Sequence, residues 1–187
     1  MSRSIYDEAF NFATIKHFNQ KRRNGTKYVY HPCRVVNLLE KYFSEDEELS
    51  TMKVVGYLHD TLEDTDTTYE EIKEYFGIDV ANYVKELTND DKIKHDMGKS
   101  NYLKLKMLFM SPLAFKVKLC DRLDNVKDLV NSNSSQFMSR YINETLEIFN
   151  FLIFNRELDD EEYELVREIL NNVKNLNNNY VRKLKIA

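Results

Sequence analysis

The sequence predicts an all-α fold, and three observations support this class. The chain has 187 residues, of which 42% are hydrophobic, and this suits one domain with a substantial core. Only four glycines and two prolines occur, so few tight turns are expected. Leucine, lysine and glutamate are plentiful, and the apolar residues recur at helical spacing, which together favour long helices.

Helical periodicity divides the first half of the chain into four predicted helices. The first covers residues 5–20, and Pro32 suits the first position of the second. The third carries an apolar stripe over residues 51–62. Thr68 and Glu71 form a capping-box pattern that predicts the start of the fourth helix, which ends at residues 76–77.

The second half is also predicted to be helical, apart from two polar stretches. Residues 88–99 are polar and contain a glycine, so we expect a loop there, and the asparagine-rich residues 171–179 are expected to fray. No linker, repeat or boundary is visible, which predicts a single domain over residues 1–187, with its motif-bearing core at about 5–130 and a helical C-terminal part at 131–187. The remaining predicted helices cover residues 78–87, 100–110, 112–130, 136–155 and 159–175.

Charge and composition argue against several classes of partner. The formal net charge is -4 and no basic stripe with interleaved aromatics occurs, so nucleic-acid binding is not expected. No apolar run approaches the length of a membrane span, and the N-terminus lacks the apolar region of a signal peptide. Cys33 and Cys120 form no CxxC motif and are interpreted as reduced thiols of a cytoplasmic protein. Nothing in the sequence indicates the oligomeric state.

An acidic cluster interrupts the apolar third helix. His59, Asp60, Glu63 and Asp64 fall within about one and a half helical turns, and carboxylates are seldom buried without a partner. A divalent cation would offset their charge, and imidazole with carboxylate suits borderline first-row ions such as Mn²⁺, Fe²⁺, Ni²⁺ or Zn²⁺. Neighbouring residues on an ideal helix point about 100° apart, so further ligands must come from other helices.

His31 and Asp121 are the candidates for these further ligands. His31 precedes a predicted helix, and Asp121 lies in a helix with apolar residues on several sides, where an ionisable group needs a partner. Asn125 shares a helix face with Asp121. A single histidine or aspartate is usually a surface group or a cap, but the doublet of His-Asp followed by Glu-Asp is hard to explain by structure alone.

These motifs together resemble those of a known family. The segments HP (31–32), HDTLEDTDTT (59–68) and KLCDRLDN (118–125) are similar to the HD superfamily, and more narrowly to the hydrolase domain of RelA/SpoT-type proteins and the small stand-alone (p)ppGpp hydrolases. The resemblance includes HFNQKRRNGTKYVYHP (17–32) and covers about residues 5–130 in the same order and spacing. It implies an HD-domain helical bundle with a single metal site.

The resemblance implies a set of site residues. One divalent ion, usually Mn²⁺, is held in that family by residues that match His31, His59, Asp60 and Asp121. The residues matching Glu63 and Asp64 are linked to activation of the attacking water, and Asn125 matches an asparagine that orients water or substrate.

The resemblance also implies the substrate, a guanosine that carries 5′ and 3′ pyrophosphates. Hydrolysis removes the 3′-pyrophosphate and leaves GDP or GTP. Arg22 and Arg23 match a basic pair near the nucleotide, and Lys118 and Arg122 flank the metal aspartate and are expected to neutralise phosphate. Asp124 departs from the family, which commonly has an aromatic residue or histidine there.

Two alternatives stay open at this point. The first is an HD phosphohydrolase for another phosphorylated nucleotide such as NADPH, with the change of specificity residing at Asp124 and residues 90–99. The second is a non-catalytic nucleotide-binding HD module. We rank it last because degeneration would remove ligands or the Glu-Asp pair, and all of them are present.

Overall fold

Helices make up the regular secondary structure of the computed structural model, which describes residues 4–132 and 134–184. One antiparallel β-bridge joins Lys21 to Lys27. The helices, in chain order, are α1 (Ile5–Lys16), α2 (Tyr30–Tyr42), α3 (Leu49–Leu58), α4 (Thr61–Asp64), α5 (Tyr69–Phe76), α6 (Ile78–Leu87), α7 (Asp91–Met97), α8 (Lys99–Leu108), α9 (Pro112–Asp128), a 3₁₀ turn (Leu129–Asn131), α10 (Ser135–Asn155) and α11 (Asp160–Leu184). The predicted all-α class is confirmed.

Local capping signals predict the best-placed helix ends. Thr68 accepts a hydrogen bond from the Glu71 N–H and the Glu71 side chain accepts one from the Thr68 N–H, so the predicted capping box opens α5. Gly77 ends the same helix at a φ of 88°, a value that favours glycine. Pro32 lies in the first turn of α2 but two residues later than predicted, where its missing N–H is still not required.

Helix α1 ends earlier than predicted, at Lys16. The Phe18 N–H bonds the Ile15 carbonyl at 3.2 Å and the Gln20 N–H bonds the His17 carbonyl at 2.9 Å. These bonds span three residues instead of four, so the helix tightens into turns before residue 20.

The loop predicted for residues 88–99 is wrong, because α7 forms within it. None of its residues is buried, so no apolar stripe marked it in the sequence. Lys94 and Asp91 form an ion pair one turn apart at 2.5 Å, and Gly98 follows the helix at a φ of 77°.

The predicted fraying of residues 171–179 is also wrong, since α11 continues to Leu184. The Asn172 side chain donates a 2.9 Å hydrogen bond to the Glu168 carbonyl within the helix. Leu165, Ile169 and Val173 are fully buried and give α11 an apolar face that outweighs the low propensity of asparagine.

The described chain forms two compact units, of which the first comprises residues 4–90 and 110–121. Here α3 packs against α1, α2 and α6. Gly56 permits the close approach of α2, because a Cβ atom at this position would lie 3.0 Å from Leu39 Cδ1 and 3.2 Å from Val36 Cγ2. This approach places the start of α2 beside the end of α3.

The second unit comprises residues 91–109, 122–132 and 134–184, in which α10 packs against α8 and α11. Arg156 Nη1 donates hydrogen bonds of 2.9 Å to the Met107 and Leu108 carbonyls at the end of α8. Lys104 and Ser100 of α8 both bind Glu147 of α10.

The single domain expected from the sequence stays a prediction. None of the helices in residues 4–132 and 134–184 has the length and hydropathy of a membrane-spanning segment.

Candidate metal centre and its surroundings

The helix that carries the acidic cluster is broken at His59 and Asp60. The sequence predicts one helix with an apolar stripe over residues 51–62 and the acidic cluster on it, but α3 ends at Leu58 and α4 begins at Thr61. His59 Nδ1 hydrogen-bonds the Gly56 carbonyl at 2.8 Å, and Thr61 Oγ1 donates to the Leu58 carbonyl at 2.7 Å. These side chains satisfy carbonyls that the end of the helix leaves open. The ideal angle of 100° between neighbours therefore does not apply, and His59 Nε2 lies 3.0 Å from Asp60 Oδ2.

His31, His59, Asp60 and Asp121 converge on one buried point. The two histidine Nε2 atoms are 3.2 Å apart, and Asp121 Oδ1 lies 3.2 Å from that of His31 and 3.7 Å from that of His59. Asp60 Oδ2 lies 3.5 Å from His31 Nε2. His31, His59 and Asp121 are 0%, 2% and 5% exposed, and their ligand atoms all fall within 4.8 Å of one another. The structure therefore brings together the four residues that the sequence analysis selected as ligands.

The chemistry of these four side chains fits a divalent cation. A carbonyl only accepts hydrogen bonds, so His59 Nδ1 carries a hydrogen and the neutral ring keeps the lone pair on Nε2, the atom that faces His31 and the carboxylates. Two imidazole nitrogens and two carboxylates are the donors that borderline first-row ions accept. These four residues therefore fit a divalent metal ion.

A proton on His59 can offset the negative charge of these carboxylates. Burial lowers the pKa of His59, but the Asp60 and Asp121 carboxylates outweigh it and raise that pKa to about 10. Burial raises the pKa of both carboxyls. At Asp60 this effect is outweighed by His59 and His31, and the pKa lies well below its ordinary value. At Asp121 it is outweighed by Lys118 and the same two histidines, with the same result. A cation and a proton therefore compete for the same site.

Lys118 orients Asp121. Its Nζ lies 2.7 Å from Asp121 Oδ2, one turn away on α9, which leaves Oδ1 directed at the histidines. The phosphate-neutralising role expected of Lys118 from the sequence stays a prediction.

Glu63 and Asp64 lie on α4 and are exposed, unlike the cluster beside them. The Glu63 carboxylate accepts hydrogen bonds of 3.0 Å from the backbone N–H and the side-chain amide of Asn89. The Asp64 backbone carbonyl accepts one from Gln20 Nε2 at 2.5 Å. Although Asp64 is exposed as a residue, desolvation of its carboxyl by the surrounding protein and the nearby Asp60 charge raise the pKa of that carboxyl. Asn89 was not selected from the sequence, because a contact 26 residues away leaves no periodic signal.

A small hairpin positions Arg22 and Arg23. The Tyr28 N–H bonds the Gln20 carbonyl at 3.0 Å and the Arg22 N–H bonds the Thr26 carbonyl at 2.8 Å. Gly25, at a φ of 85°, turns the chain between them. Arg22 is half-buried, with its guanidinium carbon 5.8 Å from the centre of the Tyr28 ring, whereas Arg23 is exposed.

Tyr28 is the principal residue that the sequence analysis did not select. Its hydroxyl lies 2.5 Å from Asp60 Oδ2 and 3.2 Å from Asp64 Oδ2. Burial, followed by the Asp60 charge, raises the pKa of Tyr28, so the hydroxyl stays protonated and can donate. The only sequence feature that pointed to Tyr28 was its place in the segment 17–32, which resembles the family and leads into His31 and Pro32.

Arg122, Asp124 and Asn125 belong to the second unit. Arg122 is 4% exposed, and its Nη1 donates to Glu144 Oε1 at 3.0 Å and to Thr145 Oγ1 at 3.3 Å. Asp124 is also buried and Asn125 is half-buried. The roles expected of these three residues in substrate binding and catalysis stay predictions.

The HD domain family model matches residues 9–157, and the chain belongs to this family. Among particular relatives, the chain is 38% identical over 195 residues to a guanosine-3′,5′-bis(diphosphate) 3′-pyrophosphohydrolase of Aquifex aeolicus, covering 95% of this chain and 27% of the relative. It is 33% identical over 150 residues to the guanosine-3′,5′-bis(diphosphate) 3′-pyrophosphohydrolase MESH1 of Danio rerio, covering 78% of this chain and 81% of that one.

A solved structure, described as a metazoan ortholog of SpoT that hydrolyses ppGpp and plays a role in starvation responses, is also similar. It superimposes with a TM-score of 0.76 at 25% identity, over 91% of this chain and 96% of the other. The chain spans about a quarter of the length of its bacterial relatives from Aquifex aeolicus and Spiroplasma citri. It spans most of the Danio rerio relative.

Proposed function

We propose that this protein is a metal-dependent hydrolase that removes the 3′-pyrophosphate from (p)ppGpp and leaves GDP or GTP and pyrophosphate. The observation that carries the proposal is the convergence of buried His31, His59 and Asp121 with half-buried Asp60, beside the exposed Glu63–Asp64 pair. Relatives named as guanosine-3′,5′-bis(diphosphate) 3′-pyrophosphohydrolases support the choice of substrate.

Mn²⁺ is the ion we propose, as a single cation held by His31, His59, Asp60 and Asp121. A divalent ion held there would lower the pKa of bound water towards about 7 and so supply a nucleophile near neutral pH. The chain supplies the orientation of the ligands. His59 is fixed through Nδ1 by the Gly56 carbonyl, and Asp121 is fixed by Lys118.

Glu63 and Asp64 are proposed to handle the proton of the attacking water. Both are ionisable, and their place on α4 directly follows two of the proposed ligands. Asn89 fixes the Glu63 carboxylate with two donor groups, which supports a positioned base over a freely rotating one. The orienting role of Asn125 rests on the family resemblance alone.

Arg22 and Arg23 are proposed to bind the nucleotide, together with Lys118 and Arg122. The support is strongest for Arg22, which the hairpin and the Tyr28 ring hold on the first unit. It is weakest for Arg122, because Glu144 already neutralises its buried guanidinium. A small-molecule nucleotide is thus the partner we propose, in a cytoplasmic protein with no nucleic-acid or membrane partner, as the sequence composition suggests.

One substrate panel tests the proposal. Purified protein with Mn²⁺ is incubated with ppGpp, pppGpp, NADPH and simple nucleotides, and the products are separated by anion-exchange chromatography. We expect GDP from ppGpp and GTP from pppGpp, each with pyrophosphate, and no products once EDTA removes the ion. Faster turnover of NADPH than of ppGpp would show that the substrate is another phosphorylated nucleotide. A metal-loaded protein that binds nucleotides without turnover would be a non-catalytic HD module.

A further inference from the structure

Tyr28 contacts both acidic groups on which the proposed hydrolysis depends. Its Oη atom lies 2.5 Å from Asp60 Oδ2, a proposed metal-ligand oxygen, and 3.2 Å from Asp64 Oδ2, part of the proposed water-activating pair. A hydroxyl has one hydrogen, and the shorter distance indicates that it is donated to Asp60.

The same Asp60 oxygen faces the histidines. Asp60 Oδ2 lies 3.0 Å from His59 Nε2 and 3.5 Å from His31 Nε2. A carboxylate oxygen has two lone-pair directions, so a donor on one side directs the other towards the histidine pair. The Tyr28 hydroxyl is therefore placed to fix the rotation of the Asp60 carboxylate about its last side-chain bond.

The Tyr28 ring is itself held on two sides. The His17 ring stacks on it with 4.7 Å between centroids and 29° between planes, and the His31 ring meets it edge-on at 5.7 Å. His17 Nδ1 lies 2.8 Å from Gln20 Oε1, and Gln20 Nε2 donates to the Asp64 carbonyl at 2.5 Å. The Gln20 amide oxygen can only accept a hydrogen bond, so His17 Nδ1 is the donor to it. Gln20 therefore ties the stacked His17 ring to the end of α4.

Arg22 contacts the outer part of this arrangement. Its guanidinium carbon lies 5.8 Å from the Tyr28 ring centre, within the distance at which a cation is attracted to an aromatic face. The hydroxyl of Tyr28 thus contacts the carboxylates, whereas its ring contacts Arg22. The two ends of one side chain can therefore be tested separately.

We propose that Tyr28 is a positioning residue: its hydroxyl holds Asp60 towards the metal and stays beside Asp64, and its ring seats Arg22 for the nucleotide. The effects on turnover and substrate binding rest on the proposed function, whereas the effect on metal binding rests on the metal site alone. It predicts that removal of the hydroxyl weakens metal binding and turnover, and that removal of the ring also weakens substrate binding.

Tyr28→Phe removes the hydroxyl and keeps the ring, and Tyr28→Leu removes both. Tyr69→Phe is the matched control, because its hydroxyl donates a comparable 2.7 Å hydrogen bond to Asn82, between α5 and α6. Mn²⁺ affinity is measured by competition with a fluorescent chelator, and kcat and KM are measured with ppGpp. We expect Tyr28→Phe to lose about 10- to 100-fold in Mn²⁺ affinity or kcat, as is usual when a partner of a metal ligand is removed, with KM unchanged. We expect Tyr28→Leu to raise KM as well.

Two results would overturn the assignment. One is a Tyr28→Phe protein that binds Mn²⁺ and turns over ppGpp like the Tyr69→Phe control. The other is a loss of melting temperature with metal affinity and kcat of the folded protein unchanged, which would make Tyr28 a packing residue. If the Phe variant does not fold, Gln20→Met, which releases the His17 ring, carries the same test, with a smaller loss expected in the same direction and no loss counting against the assignment.

Failure of the proposed function is distinguishable from failure of this assignment. A wild-type protein that binds Mn²⁺ but leaves ppGpp intact contradicts the proposed substrate. The metal-affinity comparison of Tyr28→Phe with Tyr69→Phe then still decides whether the hydroxyl positions Asp60.

Discussion

Proton release on metal binding follows from the environment of His59. Its pKa is raised to about 10 in the metal-free site, because Asp60 and Asp121 outweigh the effect of burial, whereas a ligating imidazole must be neutral. At pH 7, about three units below this pKa, the ring is protonated. Removing the proton so that the ring can bind a metal ion costs roughly 4 kcal/mol, at 1.36 kcal/mol per pH unit. Raising the pH removes this cost, so metal affinity increases with pH up to about 10.

The expected slope is about tenfold in apparent Kd for each pH unit, or about a hundredfold between pH 7 and 9. The assay is Mn²⁺ titration against a fluorescent chelator of known affinity at each pH, under nitrogen to prevent oxidation of the ion. Calorimetry in two buffers of different ionisation enthalpy counts the protons released. His95→Ala is the matched control, because the His95 side chain is 90% exposed, and it should leave the slope unchanged. A constant Kd over this range, with no proton released, would refute the reasoning.

Three further substitutions separate the roles of individual residues. His59→Ala should abolish both Mn²⁺ binding and ppGpp hydrolysis, and metal analysis that finds a full equivalent of ion would contradict the ligand set. Glu63→Gln keeps an oxygen for Asn89 but removes the basic carboxylate, so turnover should fall at least ~10²-fold. The metal content, measured in parallel, should stay constant. A loss of both metal and turnover would instead make Glu63 a metal ligand. Arg22→Ala should raise KM for ppGpp about 10- to 100-fold, as expected for a charge-assisted contact worth about 1.5–3 kcal/mol, and an unchanged KM would place the nucleotide away from the Tyr28 ring.

Helix prediction from the sequence succeeds where the signal is local. The capping box of Thr68 and Glu71 and the glycine at 77 define α5, and the predicted bounds of the next helix agree with α6, Ile78–Leu87. It fails at α7 because a helix with no buried residue has no apolar periodicity to detect. It fails again at His59 and Asp60, where side chains take over the carbonyls and let the helix break.

The sequence by itself determined the all-α class, the HD-type motifs and the four residues proposed as metal ligands. These depend on residue types at short spacing and on the order of segments along the chain. Only the tertiary structure decided that His31, His59 and Asp121, from separate parts of the chain, direct single atoms to one buried point. Only it revealed Tyr28 and Asn89 as partners of the acidic groups. The physical reason is that such contacts depend on how closely helices pack, as Gly56 permits for α2 and α3, and on which buried donor finds an acceptor, and neither property has a period along the chain.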